Sequence, residues 1–498
     1  MNRSKKIEKN LLSEIFPQLI IMVLGLLKSK FFLDYLGENT VGLVNLFSQI
    51  VGYLSLVEGG IGQAIIYKLY NPTNRKDYKK VSEIRNGTID IFKKIMLIIM
   101  ILSVVVGMII PFIIKDNQFD SFYILYNFIL YAISEVILYT TIFERSIYVA
   151  TEKSYKINRI IKLSLIMKHI SEIVIAIALK NITFVFVSLV FLGVIENILI
   201  KIMTKRDFNN LPKSEKKDKS VLGEVKNLLV HKIAGLVSSN IDIIIISKFI
   251  GLNKVIIYST YLIYINAVIS LINKISRALI GTVGNILVED RQKSYDFFVK
   301  FNSIVFFIAM LVGIPFNLFI NYFINLFYSG KVETSLITSS LFSVILIYNI
   351  IRIPLITYTE GAGLFKETKI CPIIESVVNL TLSLILVNIY GINGCLIGTI
   401  ISLFVSEYLI KPKILYKNIF NINFMNYYRM NVKFTVILII QMLICIIISN
   451  HIIINSYILL FVYSIIYFII NFVINLLLFK IMKENVIMNI IKRKKSNI

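Results

Sequence analysis

Ionisable side chains set inside long apolar runs are the residues of this sequence that could do chemistry. Lys28, Lys30 and Asp34 follow the apolar run 11–27 and precede the turn YLGENTVGL. Asp242 and Lys248 lie in NIDIIIISKFIG, Glu58 precedes GGIGQ, Glu135 sits within another apolar run, and Arg352 stands just before Pro354. A charge in hydrocarbon costs about 2.5–3.5 kcal/mol on insertion scales, so such residues face a bundle interior or a wet cavity. Cations there suit an anionic cargo. The carboxylates of Glu135 and Asp242 suit coupling to H+ or Na+.

Each residue also has a structural reading. Lys28, Lys30 and Lys248 lie near helix ends and could snorkel to the interface. Lys30 is about 200° around a helix from Lys28, so at most one points straight into a cavity. Lys30 and Asp34 are spaced to pair on one helix face. Asp242 and Glu135 could make interhelix bonds of purely structural use, and the glycines after Glu58 could serve close helix packing. Lys274, Arg277 and Arg352 read first as topology signals. Pro17, Pro315 and Pro354 each interrupt a span, which suits a carrier but also occurs in passive bundles.

Other chemistries lack their residues. His169 and His231 are placed at helix ends and His451 in a turn on the other side, which assembles no metal site. Cys371, Cys395 and Cys445 have no metal-ligand spacing and read as small core residues. No phosphate-cradling loop of the GxxxxGK[ST] form is present, and no cofactor is expected.

With 57% hydrophobic residues and a mean hydropathy of +0.78 over 498 residues, the chain reads as an all-α polytopic membrane protein. About 20 apolar residues cross a bilayer, and on that ruler about fourteen spans are expected. No cleavable signal is visible, so the first helix is expected to remain in the mature protein. The net charge of +24 is distributed over alternate loops. Arg3, Lys5, Lys79, Lys80, Arg85, Lys153, Lys205, Arg206 and the tail IKRKKSNI fall on one side; Lys115, Lys180, Lys254 and Lys331 fall on the other. This positive-inside pattern places both termini in the cytoplasm and needs no nucleic acid.

The polar run PKSEKKDKS reads as a linker between halves. The expected organisation is an N-terminal six-helix bundle over 1–204, a cytoplasmic linker over 205–226, a second six-helix bundle over 227–416, and two further helices with a basic tail over 417–498. Displacement by 214 positions lays YLGENTVGL over FIGLNKVII, a sparse match that suggests a parallel repeat.

The hairpin KSKFFLDYLGENTVGLVNLFSQIVGYLSLVEGGIGQAIIYKLY resembles the opening of the polysaccharide repeat-unit (O-antigen/capsule, Wzx-type) flippases. These belong to the multidrug/oligosaccharidyl-lipid/polysaccharide (MOP) exporter superfamily. The residues that carry the likeness are Lys28 or Lys30, Leu36 with Gly37, Gly42, and Glu58 with Gly59 and Gly60. NIDIIIISKFIG is similar to the family's seventh helix and GINGCLIGTIIS to its twelfth.

The resemblance implies a MATE-like pair of bundles around a V-shaped cavity in a bacterial cytoplasmic membrane. It implies a polyprenyl-diphosphate-linked oligosaccharide as cargo, for lipopolysaccharide or capsule synthesis, with a polymerase and a chain-length regulator as partners in the pathway. Related lipid II flippases line the cavity with arginines, whereas the candidates here are mostly lysines, which offer point charges rather than forks. The alternatives are a cation-coupled multidrug exporter of the same superfamily or a membrane enzyme. A polymerase would carry a large outer loop and an acyltransferase a reactive-site histidine, and neither is present.

Overall fold

The computed structural model describes residues 3–55, 61–115, 118–209, 211–212, 214–218, 241–482 and 484. Every element among them is helical. Long apolar runs enforce this, because in hydrocarbon the backbone must satisfy its own hydrogen bonds. Among the described residues ten helices are long and apolar enough to cross a membrane, which is consistent with the expected fourteen spans. The chain is a multi-pass membrane protein built from two compact units, Met1–Ile256 and Ile257–Ile498.

In the first unit the helices are α1 (Arg3–Leu36), α2 (Glu38–Leu54), α3 (Ile61–Asn74), α4 (Tyr78–Ile113), α5 (Ser121–Val136), α6 (Ile142–Ala150), α7 (Ser154–Leu179), α8 (Ile182–Asp207) and α9 (Ile241–Phe249). Hydrogen bonds fix their relative directions. Lys162 Nζ donates to Gln18 Oε1 at 2.7 Å and Lys28 Nζ to Glu172 Oε1 at 3.1 Å, so α1 and α7 run parallel in a constant register. Ser171 to Ser188 and Lys168 to Glu196 make α7 and α8 antiparallel.

The connections join in two sets. Asn39 bonds Gln118 at 2.6 Å, and Lys115 Nζ donates to the Phe249 carbonyl. At the other end of the helices, Lys156 pairs with Asp207 at 2.6 Å and Lys80 with Asp218 at 3.0 Å. These are the two loop sets that the charge pattern separates.

One span of this unit is broken. A 3₁₀ turn, Ile137–Thr141, separates α5 from α6. Asn197 Nδ2 donates to the Ile137 carbonyl at 2.7 Å, and Thr141 Oγ1 donates to Asn197 Oδ1 at 2.8 Å. The side chain of Asn197 thus holds the backbone at a point where the α-helical ladder lapses.

The second unit contains α10 (Leu252–Glu289, entered from the first unit), α11 (Arg291–Phe327), α12 (Leu336–Ile351), α13 (Ile353–Gly361), α14 (Phe365–Thr368), α15 (Ile370–Tyr390), α16 (Ile392–Leu403), α17 (Lys411–Leu415), α18 (Met425–Ser449) and α19 (Tyr457–Ile481). Pro17 and Pro315 lie inside continuous helices, contrary to expectation; only Pro354 coincides with a helix boundary, at the start of α13. The last two helices are tied to α11 by polar bonds: Asn302 to Asn431 at 2.7 Å, and Asn471 to the Met310 carbonyl at 3.1 Å. All three cysteines are buried and stand outside any disulfide.

Gly391 adopts φ +58° in the turn between α15 and α16. At Gly394 the helices approach so closely that a Cβ would collide with the backbone carbonyl of Leu386. A neighbouring backbone cannot rotate out of the way as a flexible side chain can. Gly394→Leu is therefore expected to cost at least the roughly 1–3 kcal/mol typical of overpacking, and to lower the yield of monodisperse protein on size exclusion. Wild-type yield would show that the hairpin can open at no cost.

Candidate functional site

Five helices of the first unit bring charged side chains together within their apolar packing. Glu196 of α8 is 2% exposed and accepts from Arg145 Nη2 at 2.7 Å, Lys168 Nζ at 3.0 Å and Ser164 Oγ at 2.7 Å. Glu172 of α7 accepts from Lys28 at 3.1 Å, and its second oxygen lies 2.8 Å from His169 Nδ1, where the ring N–H donates. Glu196 falls 14 residues along α8, about 21 Å from its start, so this chemistry lies deep in the span.

Glu135 of α5 belongs to the same field, within electrostatic reach of Lys168 and Lys28. It makes no ion pair within 4 Å among the described residues, yet it is solvent-accessible because it opens into a cavity of about 480 Å³. Ser48 and Gly52 of α2, Ser55 just after it, Tyr131 of α5 and Arg145 of α6 line that cavity with it. The charges balance: three cations, Lys28, Arg145 and Lys168, face three carboxylates, Glu135, Glu172 and Glu196. Such a cluster is costly to desolvate, and loss of a deeply buried member strongly destabilises it. It can exchange partners when an anion or a cation arrives.

The structure brings two of the sequence candidates, Lys28 and Glu135, into this cluster. Lys30 and Asp34 are half-buried on α1. Asp242 is buried at the start of α9, within electrostatic reach of Tyr53 on α2, while Lys248 is exposed and packs over the Phe249 ring at 5.9 Å. Six residues apart on a helix, Asp242 and Lys248 cannot share a face. Glu58 and His231 lie outside the described residues. Arg352 belongs to the second unit, half-buried at the break between α12 and α13 and within electrostatic reach of Glu375. Beside it, Lys411 Nζ contacts both oxygens of Glu407 at 2.5 and 2.6 Å, and Ser406 donates to Glu375 at 3.0 Å.

Sequence reasoning passes over Arg145, Lys168, Glu172 and Glu196. Three of them carry the signal that singles out Glu135, a charge well inside a predicted span. Arg145 lies just beyond a predicted span end, and α6 carries it back into the packing. His169 is corrected as well: it stands in the body of α7, not at a helix end.

No protein-family profile matches the chain, and no curated protein matches it in sequence. Solved structures do match its fold. One described as the lipid II flippase MurJ in an inward closed conformation has a TM-score of 0.65 and 15% identity, covering 97% of this chain and 100% of that one. An inward-facing MATE-family multidrug-resistance transporter of the MOP superfamily has a TM-score of 0.61 and 15% identity, covering 83% and 99%. The Vibrio cholerae MATE transporter VcmN, in a mutant form, has a TM-score of 0.52 and 12% identity, covering 84% and 98%.

This is the MOP transporter fold. The charge gathered in the first unit of this chain comes from α1, α5, α6, α7 and α8. The second unit carries its own buried pair in Glu407 and Lys411.

Proposed function

We propose that the chain is a flippase that carries a polyprenyl-diphosphate-linked oligosaccharide across a bacterial cytoplasmic membrane by alternating access, supplying O-antigen or capsule synthesis. The observation that carries this reading is the extent of the likeness. The MurJ structure covers 97% of this chain and the MATE structures 83–84%. The difference is a share comparable to the two C-terminal helices with the tail. Because MurJ is described as a lipid II flippase, the longer match favours lipid-linked cargo over a soluble drug.

Physical chemistry supports the same cargo. A diphosphate is the part most costly to move across hydrocarbon, and cations offset its desolvation through charge-assisted hydrogen bonds. Lys28 with Lys168 and Arg145 would supply them in the first unit and Arg352 in the second, with Lys30 and Lys248 as contributors nearer the helix ends. Glu135 and Asp242 would couple the cycle to H+ or Na+.

Proteoliposomes containing the purified protein test the proposal with a fluorescent polyprenyl-diphosphate disaccharide. Protein-dependent movement of the lipid to the opposite leaflet is expected, with no stimulated flux of a cytotoxic cation. Cation flux without lipid movement would replace the flippase by the multidrug exporter.

A further inference from the structure

The first unit holds a second, larger cavity that the charge cluster does not use. It has a volume of about 670 Å³ and lies among α4, α6 and α8. Its cations are Arg85 and Lys93 of α4 and Lys201 and Lys205 of α8. All four are exposed, and none makes an ion pair within 4 Å among the described residues. One buried carboxylate, Glu144, lies at the wall within electrostatic reach of Arg85 and Lys201, so the cavity keeps a cationic excess.

The remaining walls are largely apolar, with Thr140 and Thr204 among them. Phe92, Phe143 and Phe208 contribute rings and Met96 a flexible side chain. The polar segment after α8 edges the cavity with Asn209 and Leu211 and then straps back onto α4: Asn86 donates to the Ser214 carbonyl, Lys217 pairs with Asp90 at 3.0 Å, and Lys80 with Asp218 at 3.0 Å. Gly87 makes the strap possible, since a Cβ there would strike the Asp218 carbonyl.

Lys201 and Lys205 occupy the last two turns of α8, about 3–9 Å from its end, which is where a spanning helix leaves the hydrocarbon. Unpaired cations beside aromatic walls at that depth match a phosphate with a hydrocarbon chain attached. The volume is in the range of small-molecule sites.

We propose that this cavity binds a phosphate-bearing amphiphile, such as an anionic phospholipid of the adjoining leaflet, with its phosphate among Arg85, Lys93, Lys201 and Lys205 and its chain along the aromatic wall. The strap gives the site a consequence. Occupancy lies under Asn209 and Leu211, so it fastens the start of the polar linker to α4.

Native mass spectrometry of the purified full-length protein tests this with dioleoyl phosphatidylglycerol, dioleoyl phosphatidylcholine and inorganic phosphate. The wild type is expected to retain phosphatidylglycerol at activation energies that strip phosphatidylcholine. The exposed triple variant Arg85→Gln/Lys201→Gln/Lys205→Gln should weaken that retention about a hundredfold, at the usual value of a cation near a charged membrane surface. A charge-matched control, Lys79→Gln/Lys94→Gln/Arg206→Gln, should keep it. Retention in the first triple variant, or equal loss in the control, overturns the site. Displacement of the lipid by millimolar inorganic phosphate overturns the amphiphile and leaves a site for free phosphate.

Discussion

Glu196→Ala is expected to destabilise the protein by roughly 3–5 kcal/mol, the usual consequence of removing one partner from a buried ionic cluster. The carboxylate is 2% exposed and holds Arg145, Lys168 and the Ser164 hydroxyl. Arg145 is 24% exposed and can turn towards the cavity, whereas Lys168, at 11%, would lose the carboxylate it contacts and be left as a cation between helices. A thermal melt in detergent measures the loss. Adding Lys168→Met to Glu196→Ala should recover a large part of it, because the stranded charge is removed. The resulting double-mutant cycle isolates the Glu196–Lys168 coupling. An unchanged melt in the single variant would mean that water reaches the cluster freely.

Lys28→Ala is expected to reduce lipid-linked cargo movement by roughly tenfold to a hundredfold, the value of one charge-assisted hydrogen bond to phosphate. Protein level should stay near wild type, since Lys28 is 26% exposed and Glu172 keeps its contact with His169. Lys28→Arg preserves the charge and should retain most of the activity. Glu172→Gln separates the two roles of the pair, because it releases Lys28 without removing it. Cargo binding is expected to survive Glu172→Gln and to fail in Lys28→Ala. Equal losses in both would make the pair a helix clamp and remove Lys28 from the cargo site.

The helical, membrane-spanning class was legible because bilayer thickness and the cost of an exposed peptide group act on every residue of a span, so composition and run length report them directly. The division of the connections into two sets was legible for a similar reason: the charge bias is summed over many lysines and arginines. Individual side chains were harder. Lys28 and Glu135 stood out as charges in apolar runs, but Lys168, Glu172 and Glu196 stood in equally apolar surroundings. Nothing local indicated that Lys168 would meet Glu196 across 28 positions of chain, or Glu172 meet Lys28 across 144.

By itself, the sequence determined the solvent in which this protein folds, the helices that solvent requires, and the presence of buried charge needing partners. Only tertiary structure decided the partners. Helix rotation and register are set by packing between helices far apart in the chain, such as α1 against α7 and α5 against α8. A rotation of one residue, about 100°, decides whether a lysine meets a carboxylate or lipid. For that reason Lys28 was a lone cation in the sequence and became one end of the Lys28–Glu172 pair in the fold. Lys248 proved to be exposed and packed over the Phe249 ring, while Asp242 on the same helix is buried.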